Sequence, residues 1–307
     1  MPKPITALFA APKLWDDFAP PLRGAFALAG LSVDLVQHAD PRQVDVIIHA
    51  PSSSLQDFSP YTACKLVQSL WAGVERVAGN PTLSQPLCRM VDPSLTAGMV
   101  EWVVGHVMRH HIGMDRHIVN PGHVWDPTCP PLACERPVTM LGMGALGHAC
   151  ATALRGLGFV VTGWGRSAKP DCLHGDEGLR TALRDAAIVV TLLPNTPDTE
   201  NLLNAERLRW MRRGVVILNP GRGALIDDAA LLAALDAGQV GQATLDVFRV
   251  EPLPQDHPFW NHPRVTVTPH IAADTRPASA ALVVAENMRR AIAGQPLLHL
   301  VDRSRGY

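Results

Sequence analysis

The sequence predicts an α/β protein built on a doubly wound parallel sheet, with a second, smaller α/β unit. Short runs rich in β-branched residues alternate with helix-like segments along most of the 307 residues. This alternation places helices on both faces of a parallel sheet. Near the middle it is interrupted by one long helical segment and a proline-rich connection, which indicates a boundary between two units.

The larger unit is predicted from strand-like runs in the second half of the chain. These runs are residues 138–141, 159–163, 188–193, 215–219, 243–247 and 265–268. Helix-like segments separate them, among them residues 149–157 and 228–235, and Gly238 is a stop signal for the latter. The pattern predicts a Rossmann-type sheet, and we expect a dinucleotide-binding domain over residues 97–273.

The smaller unit alternates in the same way with fewer strands. Its predicted elements are strands at residues 5–10, 33–36, 44–49 and 66–70 and a helix at residues 22–28. A last helix over residues 276–293 follows the final strand of the larger unit and is expected to return to the smaller one. Residues 1–96 with 274–307 are therefore predicted to form a flavodoxin-like substrate-binding domain.

A long helix is predicted over residues 96–119, before the prolines at 121, 127, 130 and 131. His106, His110 and His117 fall close to one face of this helix, as a metal-binding stripe would. No carboxylate or cysteine ligand accompanies them at a matching spacing, so a polar interface or a solvated face is favoured. No metal site is predicted.

Composition restricts the classes of function. The formal net charge at pH 7 is −1, and no excess of basic residues indicates a nucleic-acid partner. The apolar run at residues 5–11 is too short for a signal peptide or a membrane span. Six cysteines without metal-ligand spacing are typical of reduced thiols in a cytosolic enzyme. We expect a cytoplasmic protein that binds neither nucleic acid nor membrane.

The first predicted strand of the larger unit leads into a glycine turn. Its residues are Gly142, Met143, Gly144, Ala145, Leu146 and Gly147. Between a strand and a helix, this spacing predicts a dinucleotide site, because the glycines allow a tight turn, an approach of the backbone to a pyrophosphate, and close helix packing. The helix N-terminus adds free N–H groups and a partial positive charge for the phosphates.

The residues after the second strand favour NADP(H) as the cofactor. An acidic residue there would hydrogen-bond the ribose hydroxyls of NAD, but the sequence has Gly165. Arg166 can hold a 2′-phosphate with two hydrogen bonds, and Ser167 can donate another. A solvated surface arginine is the alternative for Arg166. The missing acid and the present base together favour NADP(H).

Polar residues follow the other strands of the larger unit as well. Pro194 follows the third strand, the segment Asn-Pro-Gly-Arg-Gly at 219–223 contains the end of the fourth, and Asp246, Glu251 and His270 come at the fifth and sixth. The carboxyl ends of parallel strands lie at one edge of a sheet. We therefore expect six segments to bring polar groups to one site.

Three of these residues suit the reduction of a carbonyl group. His270 can supply the proton, since an imidazole titrates near neutral pH. Glu251 can hold the far ring nitrogen and fix the tautomer. Arg222 can bind a substrate carboxylate through paired N–H donors. Taken singly, each has an ordinary structural explanation; at three neighbouring strand ends, their combination favours catalysis.

These motifs resemble the D-2-hydroxyacid dehydrogenases, most closely the glyoxylate/hydroxypyruvate reductase A type. The matching segments are LLPNTPDT at 192–199, NPGRG at 219–223, LDVFRVEPLP at 245–254 and HPRVTVTPHIAA at 262–273, with Thr275 to Pro277 and the tail at 301–307 typical of that subgroup. The resemblance covers nearly the whole chain. Glu75 stands where the family commonly has Asp, and Ile48 where close relatives often have a large aromatic residue.

The resemblance implies an NADPH-dependent reductase of small 2-oxo acids, with glyoxylate and hydroxypyruvate first, that forms a homodimer through the cofactor domain. It implies catalysis by Arg222, Glu251 and His270, and a substrate loop at Trp71, Ala72 and Gly73 whose backbone N–H groups hold the carboxylate. Asp246 would face the nicotinamide carboxamide. The expected cofactor-binding positions are Gly142, Gly144, Ala145, Leu146, Gly147, Trp164, Arg166, Ser167, Leu193, Pro194, Thr199, Pro220, Gly221, Asp246 and Ala272.

Two other functions remain open from the sequence. The first is a non-catalytic dinucleotide sensor, because one fold hosts many functions. The second is an NAD-dependent dehydrogenase of the phosphoglycerate type. The complete set of Arg222, Glu251 and His270 argues against the sensor. Gly165 in place of an acid, and the lack of an appended regulatory domain, argue against the phosphoglycerate type.

Overall fold

The computed structural model describes residues 3–170, 172–304 and 306. The chain divides into two compact units, one made of residues 1–95 and 274–307 and the other of residues 96–273. We call these the smaller and the larger unit. Arg305 and Tyr307, which belong to the tail that resembles the reductase subgroup, lie outside the described residues.

Strands and helices alternate along both units. The strands are β1 (Ile5–Ala10), β2 (Val33–Val36), β3 (Val46–His49), β4 (Leu66–Ser69), β5 (Leu87–Cys88), β6 (Val138–Leu141), β7 (Val161–Gly165), β8 (Cys172–His174), β9 (Ile188–Thr191), β10 (Val215–Asn219), β11 (Val240–Leu245) and β12 (Val265–Val267). The helices are α1 (Trp15–Leu28), α2 (Glu75–Ala78), α3 (Pro93–His111), α4 (Asp115–Ile118), α5 (Ala145–Gly156), α6 (Gly175–Arg184), α7 (Ala205–Trp210), α8 (Asp228–Asp236) and α9 (Pro277–Ile292).

The larger unit contains a parallel sheet in which the strand order reverses at one point. The order among the described residues is β12-β11-β10-β9-β6-β7-β8. Because β6 pairs with both β7 and β9, the chain winds outward from β6 in two directions. Ligands of such sheets bind beyond the carboxyl ends of the strands at this reversal. The predicted fold class is confirmed.

Apolar side chains cover both faces of this sheet. Leu141, Val189 and Ile217 are fully buried on one face in a core that includes residues of α6 and α8. Met140 and Val190 are fully buried on the other face, in a core that includes residues of α3 and α5. Burial on both faces explains why these strands read as continuous apolar runs rather than as alternating patterns.

The smaller unit has a parallel sheet of the flavodoxin-like order β2-β1-β3-β4-β5 in its described residues. Residues of α1 and α9 share one buried core with β1 and β3, so the last helix packs in this unit. Asn287 on α9 is fully buried, and its Nδ2 donates to Gln68 Oε1 at 2.7 Å. This bond ties α9 to β4.

The long helix predicted over residues 96–119 is shorter than expected. It ends at His111, and Gly113 then takes a φ of +66°, which a right-handed helix cannot continue. His117 lies on the separate helix α4. The prediction that His117 shares a helix face with His106 and His110 is therefore wrong. The ring of His110 is buried and bonded to Gln242 and Thr244, which agrees with the favoured polar interface.

Other boundaries moved by a few residues. The first helix begins at Trp15 rather than at residue 22, although Pro20 and Pro21 lie inside it. Burial of Phe18 and Leu22 stabilises the added turns despite the two missing N–H groups. The helix after the glycine turn begins at residue 145 rather than 149. The short edge strands β5 and β8 were not predicted.

All six cysteines are free thiols. In the described part of the chain, no three His, Cys, Asp or Glu side chains are grouped so that they could hold a metal ion. No helix among the described residues has both the length and the apolar character needed to cross a bilayer.

Candidate functional site

The glycine turn lies between β6 and α5, at the reversal of strand order. Gly142 takes a φ of +107°, and a Cβ there would lie 2.5 Å from the carbonyl oxygen of Leu192. A Cβ on Gly147 would overlap the carbonyl oxygen of Gly142. These two positions admit only glycine, because any side chain would force the turn away from β9 or from α5.

Gly144 differs from these two glycines. A Cβ there would meet no described atom within 4 Å, so the protein's own packing does not require glycine. Gly144 is exposed and directly precedes α5, whose first N–H groups point toward the turn. Open space beside free N–H groups at the start of a twelve-residue helix suits a phosphate.

The segment after β7 carries the predicted cofactor-selecting residues. Arg166 Nη1 lies 2.7 Å from Asp198 Oδ2, and their side chains are 27% and 72% exposed. Lys169 Nζ donates to the carbonyl oxygen of Met143, within the glycine turn, at 3.1 Å. Ser167 is exposed on the same loop. The structure thus brings the basic loop after β7 beside the glycine turn.

Trp164 is buried, unlike Arg166 and Ser167, which follow it after the same strand. Its indole is 4% exposed within the apolar core, and its Nε1 donates to Gly175 O at 3.0 Å. The ring is therefore a packing group. Any contact of this residue with a ligand would be made by its backbone.

The segment after β9 forms a tight loop that its own hydroxyl groups hold together. Thr199 is fully buried, and its Oγ1 accepts from Thr196 N at 2.8 Å and lies 2.7 Å from Pro194 O. Leu193 is buried in the core and Pro194 is half-buried. Thr199 therefore shapes the loop, while Pro194 lies nearer its surface.

The segment after β10 is positioned by Asn219. Its Oδ1 accepts from Thr191 Oγ1 at 2.6 Å and from Gly221 N at 3.2 Å, and its Nδ2 donates to Arg222 O at 2.9 Å. Pro220 and Gly221 are buried, whereas Arg222 is half-buried. Asn219 thus orders the backbone that carries Arg222.

Asp246, at the end of β11, holds the segment after β12. Its carboxylate is fully buried and accepts three hydrogen bonds, from Thr268 Oγ1 at 2.6 Å, Ile271 N at 2.9 Å and Ala272 N at 2.9 Å. Its backbone N–H donates to Asn219 O at 3.0 Å. Asp246 therefore connects the ends of three neighbouring strands, and bonds to the charged form of a carboxylate are strong.

His270 and Glu251 form a hydrogen-bonded pair. His270 Nδ1 lies 2.7 Å from Glu251 Oε2, and Phe248 N donates to Glu251 Oε1 at 2.9 Å. Half of the His270 side chain is exposed (51%). Its backbone has a φ of +55°, and its N–H donates to Asp246 O at 2.8 Å.

A positive φ is uncommon for a residue other than glycine and costs of order 1–3 kcal/mol. The bond to Asp246 maintains this backbone conformation. Gly223 lies in close contact with the backbone of Phe248, which a Cβ at position 223 would overlap. The loop carrying Arg222 is therefore packed against the loop that leads to Glu251.

In the smaller unit, Trp71, Ala72 and Gly73 follow β4 after one residue, Leu70. Ser69 Oγ accepts from Trp71 N at 3.1 Å and donates to Trp71 O at 3.0 Å, and Met90 N donates to Trp71 O at 3.0 Å. The indole is 39% exposed, and Ala72 and Gly73 are half-buried. Ile48 is fully buried in the core, so it is a packing residue.

Sequence reasoning missed two residues that position this site. Thr191 and Thr268 each place a hydroxyl group on a buried acceptor, Asn219 or Asp246. The available signal was a threonine at the end of an apolar strand run, directly before the motif at 192–199 for Thr191 and inside the motif at 262–273 for Thr268. A strand interior favours threonine for its shape, so that signal alone does not distinguish a positioning role.

The sequence and the structure were compared with those of known proteins. The family described as D-isomer specific 2-hydroxyacid dehydrogenase, NAD binding domain, matches residues 105–272. The chain is 38% identical over 255 residues to glyoxylate/hydroxypyruvate reductase A of Yersinia enterocolitica, a match that covers 79% of this chain and 82% of that protein.

Two solved structures are similar over the full length of both chains. One is a D-isomer specific 2-hydroxyacid dehydrogenase from Xanthobacter autotrophicus Py2 in complex with NADPH and MES, with a TM-score of 0.92 and 36% identity. The other is an NADPH-dependent glyoxylate/hydroxypyruvate reductase from Sinorhizobium meliloti in complex with NADP and sulfate, with a TM-score of 0.86 and 32% identity. The predicted resemblance is confirmed: the chain belongs to the D-isomer specific 2-hydroxyacid dehydrogenase family.

Proposed function

We propose that this protein reduces small 2-oxo acids with NADPH, converting glyoxylate to glycolate and hydroxypyruvate to glycerate. The observation that carries the proposal is the pair of His270 and Glu251, 2.7 Å apart, on the sheet edge that also holds the glycine turn. The relatives named as glyoxylate/hydroxypyruvate reductases, and the neighbours solved with NADPH or NADP, support the same activity.

The residues present fit NADP(H). Gly144 leaves open space beside the N-terminus of α5, where a pyrophosphate would accept hydrogen bonds from the N–H groups of Ala145 and Leu146. Arg166 would hold the 2′-phosphate, and its bond to exposed Asp198 is of the surface kind that contributes little. When bound, the cofactor supplies the hydride for the carbonyl carbon.

His270 would donate the proton to the carbonyl oxygen. Because Glu251 accepts from Nδ1, the other ring nitrogen, Nε2, is left to carry the transferable proton. Loss of that proton leaves a neutral imidazole that remains hydrogen-bonded to the carboxylate. Glu251 is itself held by Phe248 N, so the ring is oriented before the substrate arrives.

Arg222 would bind the substrate carboxylate, because a guanidinium matches its two oxygens. Its backbone is fixed through Asn219, which limits the positions the side chain can take. In the smaller unit, the backbone N–H groups of Ala72 and Gly73 would serve as donors for a carboxylate, whereas Trp71 N already donates to Ser69 Oγ. On this proposal the larger unit binds the cofactor and carries Arg222 and His270, and the smaller unit contributes backbone donors.

The protein would act in the cytoplasm as a homodimer. The segment between α3 and β6 exposes large apolar side chains that its own unit leaves uncovered: Met114, Ile118, Val119, Val124, Trp125 and Leu132. Trp125 is 92% exposed. Burying such side chains is favourable, and a second copy of the chain would cover them. Trp125→Ala is expected to weaken self-association in sedimentation equilibrium.

A direct assay tests the activity. Purified protein mixed with NADPH and glyoxylate or hydroxypyruvate should consume NADPH, measured as loss of absorbance at 340 nm. His270→Asn should lower kcat at least a hundredfold while NADPH binding, followed by fluorescence, stays intact. Binding of NADPH without turnover of any 2-oxo acid would instead support a dinucleotide sensor.

A further inference from the structure

The larger unit contains a cavity at the edge of its sheet that is opposite to the edge with the glycine turn. Gly214, Gly241 and Arg264 line it, and they lie at or beside the first residues of β10, β11 and β12. These are the amino ends of three adjacent strands, whereas the glycine turn follows the carboxyl end of β6. The cavity has a volume of about 400 Å³ and is separate from the candidate cofactor site. Part of its wall, Asp115, Arg116 and Arg136, belongs to the segment between α3 and β6 that is proposed to self-associate, so the cavity lies beside that surface.

Arginine side chains dominate the charge of this cavity. Arg109, Arg116, Arg136 and Arg264 line it, and among its described lining residues Asp115 supplies the only carboxylate. The remaining titratable lining group, His110, is an uncharged part of the wall: both ring nitrogens bond neighbouring side chains at 2.8 Å, and burial lowers its pKa.

Two of the arginines already have acidic partners. Arg109 Nε lies 2.7 Å from Asp115 Oδ1, and Arg116 Nη1 lies 3.1 Å from Asp126 Oδ2. The guanidinium of Arg116 is packed onto the turn at Gly113, where a Cβ would lie 2.8 Å from Nη2. These two arginines therefore line the cavity with their charge partly compensated.

The other two arginines have no carboxylate partner in the described part of the chain. The Arg136 side chain donates to His110 O at 3.3 Å, and the Arg264 side chain donates to Leu235 O at 2.8 Å. A guanidinium has five N–H donors, so most donors of both groups are available. Burial lowers the pKa of Arg136, and the positive charges of Arg212 and Arg116 lower it further.

We propose that this cavity binds a phosphate group, as inorganic phosphate or as part of a small phosphorylated metabolite. Arg136 and Arg264 would each present a planar fork of donors that matches phosphate oxygens. A multiply charged anion would relieve the repulsion between the guanidinium groups, which a single carboxylate does less well. The volume of the cavity leaves room for a few carbon atoms beside the phosphate.

The test measures phosphate binding to the protein saturated with NADP+, which occupies the other phosphate-binding region. Isothermal titration with inorganic phosphate should give one site per chain, and potassium chloride at matched ionic strength should give none. A phosphomonoester, glycerol 1-phosphate, distinguishes the sources: binding at least as tight as phosphate indicates a metabolite, and much weaker binding indicates the free ion. Succinate binding as tight as that of phosphate would overturn the proposal.

Variants locate the site. Arg136→Gln and Arg264→Gln should each weaken phosphate binding at least tenfold. Arg184→Gln removes the same charge from an exposed side chain that pairs with adjacent Asp185, and it should bind as the wild type does. Equal affinities in all three variants would refute the assignment. The same result is expected if phosphate binds at the substrate site beside Arg222, so the comparison also excludes that alternative.

A measurement on the unmodified protein covers the case in which a variant does not fold. Phenylglyoxal modifies accessible arginines, and peptide mass spectrometry identifies which ones. Phosphate should slow the modification of Arg136 and Arg264 at least several-fold, whereas exposed Arg184 should react at an unchanged rate. Unchanged reactivity of Arg136 and Arg264 would refute the proposal. None of these readouts depends on reductase activity.

Discussion

Acid should destabilise the smaller unit through His49. This residue ends β3, is 3% exposed and packs against Phe58, with ring centroids 5.6 Å apart. Neither ring nitrogen has a hydrogen-bond partner of normal geometry among the described residues, and burial lowers the pKa of the ring by more than the nearby Leu55 backbone raises it. Burial lowers the pKa of His49 from 6.5 to about 4, since the interior disfavours the charged imidazolium.

The direction of the pH dependence follows from the number of protons that the folded and unfolded chains bind. Between pH 6.5 and pH 4, the unfolded chain binds a proton at His49 that the folded chain does not bind. Stability from the neutral ring is therefore fully present above pH 6.5 and decreases as the pH falls toward 4. With these pKa values, the free energy of unfolding is lower by about 2 kcal/mol at pH 5.0 than at pH 7.5.

His49→Leu isolates this contribution, because the substitution removes the titrating group and the two unbonded nitrogens at similar volume. At pH 7.5 the variant should be as stable as the wild type or more stable. Between pH 7.5 and 5.0 it should lose about 2 kcal/mol less than the wild type does. His106, whose pKa burial also lowers to about 4, remains in both proteins and cancels in the comparison.

Hydrogen–deuterium exchange of peptides from β3 and β4, corrected for the intrinsic exchange rate at each pH, reports the opening of the smaller unit by itself. His174→Leu changes an exposed histidine in the larger unit and serves as the matched control. If His49→Leu loses as much protection at pH 5.0 as the wild type, or if the His49 ring titrates near pH 6.5 by NMR, the reasoning is refuted.

Three further predictions concern the proposed reaction. Glu251→Gln should lower kcat about a hundredfold or more with little change in NADPH affinity, because a neutral amide does not stabilise the protonated ring; a kcat within threefold of the wild type would contradict this. Gly144→Ala should melt near the wild-type temperature yet bind NADPH at least tenfold more weakly. Gly147→Ala should also melt several degrees lower than the wild type, since its Cβ overlaps a carbonyl oxygen. Equal melting temperatures of the two variants would contradict this difference. Arg166→Gln should raise the KM for NADPH about tenfold and leave that for NADH nearly unchanged, and a parallel change in both would remove Arg166 from cofactor selection.

Much of the fold could be predicted from the sequence, because parallel strands that are buried on both faces consist of continuous runs of β-branched residues. The runs at residues 138–141 and 215–219 match β6 and β10 at both ends. The ends of helices that depend on backbone geometry or on core contacts were harder to predict. The end of α3 at His111 depends on the left-handed conformation of Gly113, and the start of α1 at Trp15 depends on core contacts that outweigh two prolines.

The sequence by itself determined the residue types at the strand ends, the glycine spacing and the absence of an acid at position 165, since covalent order and periodicity set these directly. Only the tertiary structure decided what those residues touch. It placed the indole of Trp164 in the core, directed the Asp246 carboxylate to three donors in the segment 268–272, and gathered four arginines around a cavity. Such contacts join residues far apart in the chain, and their partners depend on register, loop packing and backbone strain. Those quantities are set by the folded chain as a whole, so no local pattern specifies them.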